Sequence, residues 1–228
     1  MIKAVMIYGF RNGMQDRLER KLFDQEIPVI SHSIQKFGWK ARVLESLKIA
    51  KDNPDDILIF LDAWDMLMLG TRQELETLSL DEGITFAAQK FCYPHENRKP
   101  EYDAIQPKDV GQWRFINSNP MAGLGRNIAA AIEWGWERFP IKYNTNVTHM
   151  YFDNIDERFL TDLYLSEARD KFNIKLDTRC QLNQIFLASI EGDLWLDAGK
   201  RRVFNVPHET YPVFIHFNGH SNPPEALL

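Results

Sequence analysis

Apolar positions along this chain recur with two different periods, and the switches between them mark out the elements. Ala4–Tyr8 is a short apolar run closed by Gly9 and reads as a first strand. Asp16 to Phe23 places Leu18 and Leu22 one helical turn apart, the pattern of a peripheral helix. Lys40 to Lys51 brings Val43, Leu44, Leu47 and Ala50 onto one helical face and stops at Asp52-Asn53-Pro54-Asp55, where proline forbids continuation. Ile57–Leu61 is five uninterrupted apolar residues, the signature of a strand covered on both faces, usually a parallel central one. Thr71–Leu78 reads as a short helix and Ile84–Ala88 as another strand. This β-α-β alternation predicts an α/β fold with a doubly wound sheet.

Beyond Ala88 the pattern breaks. Phe91 to Gln112 holds Pro94, Pro100, Pro107 and Gly111 and shows no period, so it is expected to be a long irregular loop, a feature that more often serves function than not. Arg126–Phe139 returns to helical spacing with Ile128, Ala131, Ile132 and Trp136 on one side. Asp156–Leu165 is a further helix with acids at its N-terminus, where the helix dipole favours them. Short strands are expected around Ile185–Ala188, Leu194–Leu196, Arg202–Val206 and Val213–His216. With no repeat, linker or low-complexity tract, residues 1–228 are expected to form a single domain.

Composition narrows the function classes. The formal net charge is −5, and no block of Lys and Arg occurs, which argues against a nucleic-acid partner. Cys92 and Cys180 are too few for a disulfide framework or a cysteine zinc site and are expected to be buried thiols. No apolar stretch reaches the ~20 residues of a membrane span. The first residues do not read as a signal peptide, so a cytoplasmic location is expected, in a host cytoplasm if the chain is virus- or phage-encoded.

The chemistry concentrates after the apolar strand, in Asp62-Ala63-Trp64-Asp65. Ligands of open α/β sheets bind beyond the carboxyl ends of the strands, and two carboxylates there can converge on one divalent cation, manganese or magnesium by ligand hardness. Taken alone, the pair is also readable as Asp62 capping its own turn with Asp65 exposed. A dehalogenase-type phosphatase would need a second aspartate where Trp64 stands, and other metal-dependent phosphohydrolases lack a recognisable nucleophile here. His216, closing the last strand, could add an imidazole to the carboxylates, or be a structural histidine. Asn218 and Gly219 follow it, offering an amide and a close-approach backbone to a phosphate.

Four blocks carry a resemblance: Phe60–Asp65, Arg114–Ser118, Asn173–Cys180 and Pro212–Gly219. In order and spacing they resemble the glycosyltransferase domain of the procollagen lysyl hydroxylases and its stand-alone viral and bacterial relatives. The resemblance spans the chain from Lys40 onward. It implies a GT-A fold, a Rossmann-like, mixed, mainly parallel sheet flanked by helices. It also implies transfer of a hexose-type sugar from a UDP-sugar donor to a hydroxyl of a glycan or glycoprotein acceptor, with manganese, or magnesium in its place. Carried over residue by residue, the metal ligands are Asp62, Asp65 and His216. Tyr8, Gly9, Lys40, Trp64, Asn218 and Gly219 fall in the donor site, with Trp64 offering a π-face to the base. Asp156 takes the catalytic position, as base or as electrostatic stabiliser, and Tyr93, Asn117, Ser118, Asp153 and Glu157 line the substrate pocket.

The chain departs from the family pattern in three places. The aspartate tract is thinned to Asp153, Asn154, Ile155 and Asp156. Asn119-Pro120 replaces a Gly-Gly, which should reshape the sugar pocket. Tyr93 stands for a loop tryptophan. A non-catalytic nucleotide-sugar-binding module with the same fold is the alternative reading.

Overall fold

A computed structural model describes residues 1–35, 38–93, 95–139, 155–186, 192–218 and 225–227. Its centre is a six-stranded sheet. The first strand, β1 (Ile2–Tyr8), is followed by α1 (Gly13–Asp24), β2 (Val29–Ser33), α2 (Trp39–Asp52) and β3 (Ile57–Leu61). Then come β4 (Met66–Met68), α3 (Arg72–Glu76), β5 (Ile84–Gln89), α4 (Lys99–Ile105), β6 (Phe115–Leu124) and α5 (Gly125–Arg138). The remainder holds α6 (Ile155–Tyr164), α7 (Ala168–Lys171), β7 (Ile174–Asp177), β8 (Asn183–Ile185), β9 (Leu194–Asp197), β10 (Arg202–Asn205) and β11 (Phe214–His216). No helix among the described residues is long and apolar enough to cross a membrane.

The sheet runs β2-β1-β3-β6-β5-β7. β1 pairs parallel to β2 and β3, and β5 parallel to β7, whereas β6 is antiparallel to both its neighbours. The uninterrupted apolar β3 is central, as expected, although only one of its two partners is parallel. Alternate strand residues feed two cores, as the pleat requires. Val5, Ile7, Leu58 and Phe60 pack with residues of α2, α5 and α6 on one face, while Ala4, Met6, Ile59 and Leu61 pack with Leu18, Leu22 and Leu75 on the other. A smaller sheet, β4-β11-β8, lies beside the main one, and β9 and β10 form a hairpin.

Several expectations change. The segment from Phe91 to Gln112 is not irregular throughout: a helical turn at Glu96–Arg98 runs into α4. At seven residues, with Pro100 in its first turn, α4 is too short to display a period. It is nonetheless anchored, because Tyr102 is fully buried, as is Trp113 beyond it. On α2, Val43 and Ala50 are buried as expected, but Leu44 turns outward. The strand expected over Ile185–Ala188 lies earlier, at β8, and residues 187 and 188 fall outside the described residues. Both cysteines are buried thiols.

Strands β2, β4, β6 and β7 have no counterpart in the reading of the pattern. β6 is the instructive one. Its sequence, Phe-Ile-Asn-Ser-Asn-Pro-Met-Ala-Gly-Leu, lacks alternation because residues 118–120 leave the ladder: Phe86 pairs with Met121 while the next residue, Ala87, pairs with Asn117. Such a bulge suits proline, which has no N–H to donate, and it re-aims the neighbouring side chains.

Candidate metal and donor site

Strand β3 ends at Leu61, and the chain then turns through Asp62–Asp65 before entering β4. Asp62 Oδ1 accepts the backbone N–H of Trp64 at 3.4 Å, so one oxygen does cap its own turn. Asp65 is buried rather than exposed. Its backbone carbonyl accepts the N–H of Phe217 at 2.8 Å, and the pairing of His216 with Met66 sets β11 alongside. The result is a cluster in which one ligand atom each from Asp62, Asp65 and His216 lies within 4.8 Å of the others. His216 Nε2 and Asp65 Oδ1 are 3.0 Å apart. Burial works against the imidazolium of His216, but the facing charges of Asp65 and Asp62 outweigh it, and its pKa is raised.

A second set of carboxyls adjoins the first. Asp156, in the first turn of α6, and Glu157 are both buried. Arg42, on α2, is buried between them and the metal cluster: it lies 3.5 Å from Asp62 Oδ2 and 4.0 Å from Asp156 Oδ2, and donates to Asn119 Oδ1 at 2.7 Å. Asp156 accepts the N–H of Glu157 at 2.8 Å, and Ser118 is a further hydrogen-bond partner. Glu157 accepts from Gln89 Nε2 at 2.6 Å, and Gln89 Oε1 accepts from Asn117 Nδ2 at 3.4 Å. Burial raises the pKa of both acids, Glu157 furthest because the charge of Asp156 adds to it while Arg42 counteracts the shift at Asp156. Burial and Asp156 thus favour the proton on Glu157, while Arg42 favours the charge on Asp156.

Trp64 is not a core residue: it is 37% exposed and stands edge-on to Phe10, with ring centroids 4.2 Å apart and its Nε1 donating to the Phe10 carbonyl at 3.1 Å. Tyr8 and Gly9, at the end of β1, lead into that contact, and Tyr8 Oη accepts from Ser31 at 3.4 Å. Lys40 is in the first turn of α2, two residues before Arg42 and so on a different face of the helix. Asn218 adopts a left-handed backbone, φ 55°, which asparagine tolerates better than most residues. Tyr93 sits on the surface after β5, 61% exposed and outside the buried cluster. Asp153 and Gly219 lie outside the described residues.

The pattern of the sequence did not single out Arg42 and Gln89, and it marked Asn119 only as part of a departure from the family pattern. The available signal was on α2, where Arg42, Ser46 and Ile49 share an i, i+4, i+7 stripe and all three are buried. The block around Asp177 proves structural: its carboxylate accepts the backbone N–H groups of Gln181, Leu182 and Asn183 at 2.8–2.9 Å and fixes the turn into β8.

Comparison with known proteins places these residues in a family. The PLOD GT domain model matches residues 32–224. Human "Multifunctional procollagen lysine hydroxylase and glycosyltransferase LH3" is 28% identical over 190 residues, covering 81% of this chain and 23% of that protein. The Drosophila melanogaster "Procollagen-lysine,2-oxoglutarate 5-dioxygenase" is 26% identical over 189 residues, 80% of this chain and 24% of the relative. The chain thus spans about a quarter of the length of these relatives. Among solved structures, a glycosyltransferase involved in the glycosylation of the major capsid of PBCV-1 superposes with a TM-score of 0.54 at 11% identity, covering 96% of this chain and 94% of the other.

Proposed function

Because the chain belongs to the PLOD GT domain family of glycosyltransferase domains, we propose that it transfers a hexose-type sugar from a UDP-sugar to a hydroxyl of a glycan or glycoprotein, with a divalent metal. The observation that carries this reading is the convergence of Asp62, Asp65 and His216 at the carboxyl end of β3. Two carboxylates and one imidazole suit manganese, and magnesium less well, since magnesium prefers oxygen alone. Held by these three side chains, such an ion would supply positive charge against the diphosphate leaving group.

The chain's own residues divide the remaining work. Trp64 offers the uracil an exposed π-face, next to Tyr8 and Gly9. Lys40 in the first turn of α2, with Asn218 and Gly219, faces the diphosphate in this reading. Asn117, Ser118 and Glu157 bind sugar hydroxyls, and a protonated Glu157 can donate as well as accept. Asp156, beside Arg42, stabilises an oxocarbenium-like sugar or takes the acceptor proton. Asp153 and Tyr93 belong to the acceptor side.

The test is UDP release from a panel of UDP-sugars with manganese, with chelator, and with Asp65→Ala. Hydrolysis of one donor that chelator and the variant both abolish is the expected result. Manganese-dependent UDP binding without turnover of any donor would instead favour the non-catalytic module. Absence of UDP binding would remove the nucleotide-sugar reading altogether.

A further inference from the structure

Helix α1, strand β4, the turn joining β9 to β10 and Leu227 line an open cavity of about 850 Å³ that the proposed chemistry does not use. Its floor is aliphatic, Leu67 to Leu69, and its walls are cationic. Arg17, Arg20 and Lys21 project from α1, and Arg201 faces them from the turn. Among the described residues none of these four has an ion-pair partner. Lys200 also lines the cavity, but it is engaged with Asp197 and Tyr211. Of the two lining carboxylates, Asp16 is already paired with Arg11 at 2.8 Å, which leaves Asp24.

Four unmatched cations around one concavity oppose one another, in a chain whose net charge is −5. Arg201 is moreover held at φ 52°, a left-handed backbone unfavourable for arginine. Local rules broken without internal compensation are expected where a ligand supplies it. The missing component is negative charge.

Position and lining say what carries that charge. Gly13, at one end of the cavity, follows Asn12, whose amide donates to the Trp64 carbonyl at 3.0 Å, and Leu67 lies two residues past Asp65. One end of the cavity is therefore tied to the metal-ligand turn. Among the described residues no aromatic ring lines it, so their lining offers neither base stacking nor stacking on neutral sugars. Guanidinium groups instead match carboxylate, sulfate or phosphate. Arg17 and Lys21, four residues apart, are spaced by about 6 Å along the helix, so that successive charges on an extended chain can be met in turn. We propose that this cavity is the track of an anionic glycan acceptor, a chain of sugars bearing such groups. The proposal rests on the transferase reading above.

The experiment measures binding of an oligogalacturonate and of a heparin-derived oligosaccharide to the full chain by calorimetry, against a neutral maltooligosaccharide and single-stranded oligothymidine. Expected are binding of at least one anionic oligosaccharide, weakening with added salt, and none of the neutral one. The double variant Arg17→Glu, Arg201→Glu should bind at least about tenfold more weakly, while manganese-dependent UDP binding is unchanged. Arg126→Glu, which reverses an exposed charge on α5, should leave glycan binding as it was. The proposal is overturned if neither anionic oligosaccharide binds, if the double variant binds like the unmodified protein, if Arg126→Glu weakens binding equally, or if the neutral chain or oligothymidine binds as well. Absence of UDP binding by the unmodified protein would sink the transferase reading and with it the acceptor role, independently of the oligosaccharide result.

Discussion

The guanidinium of Arg42 stands 4.0 Å from the carboxylate of Asp156, both side chains buried, so the opening turns of α2 and α6 meet as opposite charges. The same guanidinium reaches Asp62 and Asn119, which makes Arg42 the joint between the metal cluster, the β6 bulge and the sugar pocket.

Removing one partner of a buried ion pair leaves the other uncompensated, so Arg42→Ala is expected to cost about 3–5 kcal/mol of stability. Arg42→Lys keeps the charge but not the fork that serves Asn119 and Asp62 together, and should recover stability without recovering turnover. Urea denaturation and UDP release on both variants test this. Equal turnover by Arg42→Lys and the unmodified protein would show that geometry at this joint does not matter.

Trp64 gives the opposite dissociation. Because the ring is exposed, Trp64→Ala should change stability by no more than about 1 kcal/mol. Loss of base stacking should weaken UDP binding by about 1–3 kcal/mol, measurable by calorimetry in manganese. An unaltered UDP affinity would remove Trp64 from the donor site.

Glu157 predicts a pH dependence. Its folded pKa lies well above the ordinary carboxylate value, chiefly through burial and then through Asp156. Between those two values the native state holds a proton that the unfolded chain releases, so stability falls as pH rises through the window. Glu157→Gln keeps the oxygen that accepts from Gln89 and removes that proton exchange. Urea midpoints at pH 5 and pH 8 should therefore differ less in the variant than in the unmodified protein. The difference should not vanish, since Asp156 shifts in the same direction. Identical slopes would place the proton elsewhere.

Asp177 serves as a backbone anchor rather than a reagent. Burial pushes its pKa up to about 6, and the three N–H donors hold it back from rising further. Asp177→Ala strands those donors and should cost about 3 kcal/mol, read from chemical denaturation. A cost below about 1 kcal/mol would mean that water replaces the carboxylate.

How much of this was legible in the sequence depends on where each residue's environment comes from. β3 announced itself because both its faces are covered, and Asp62 and Asp65 were conspicuous by following it directly. His216 needed the family pattern, since nothing local ties residue 216 to residue 62. β6 stayed hidden because its central residues serve the site rather than the ladder: Asn119 holds Arg42, and Ser118 meets Asp156. Arg42 drew no reading from the sequence, where it is one charged residue of an amphipathic helix. Its burial is a tertiary fact, made beside carboxylates from the turn after β3 and from α6, and no short window along the chain contains them together.

The pairing of β11 with β4 is only three residues long, yet it sets His216 against the turn that carries Asp65. A slip of one position would turn the imidazole to the opposite side of the strand. An ion gripped by Asp62, Asp65 and His216 would therefore act as a clasp as well as a reagent, closing a loop of roughly 150 residues between the first third of the chain and strand β11. Chelation should then loosen the C-terminal third before the rest. Amide exchange at β8 and β11 should quicken while β1 and β3 stay protected.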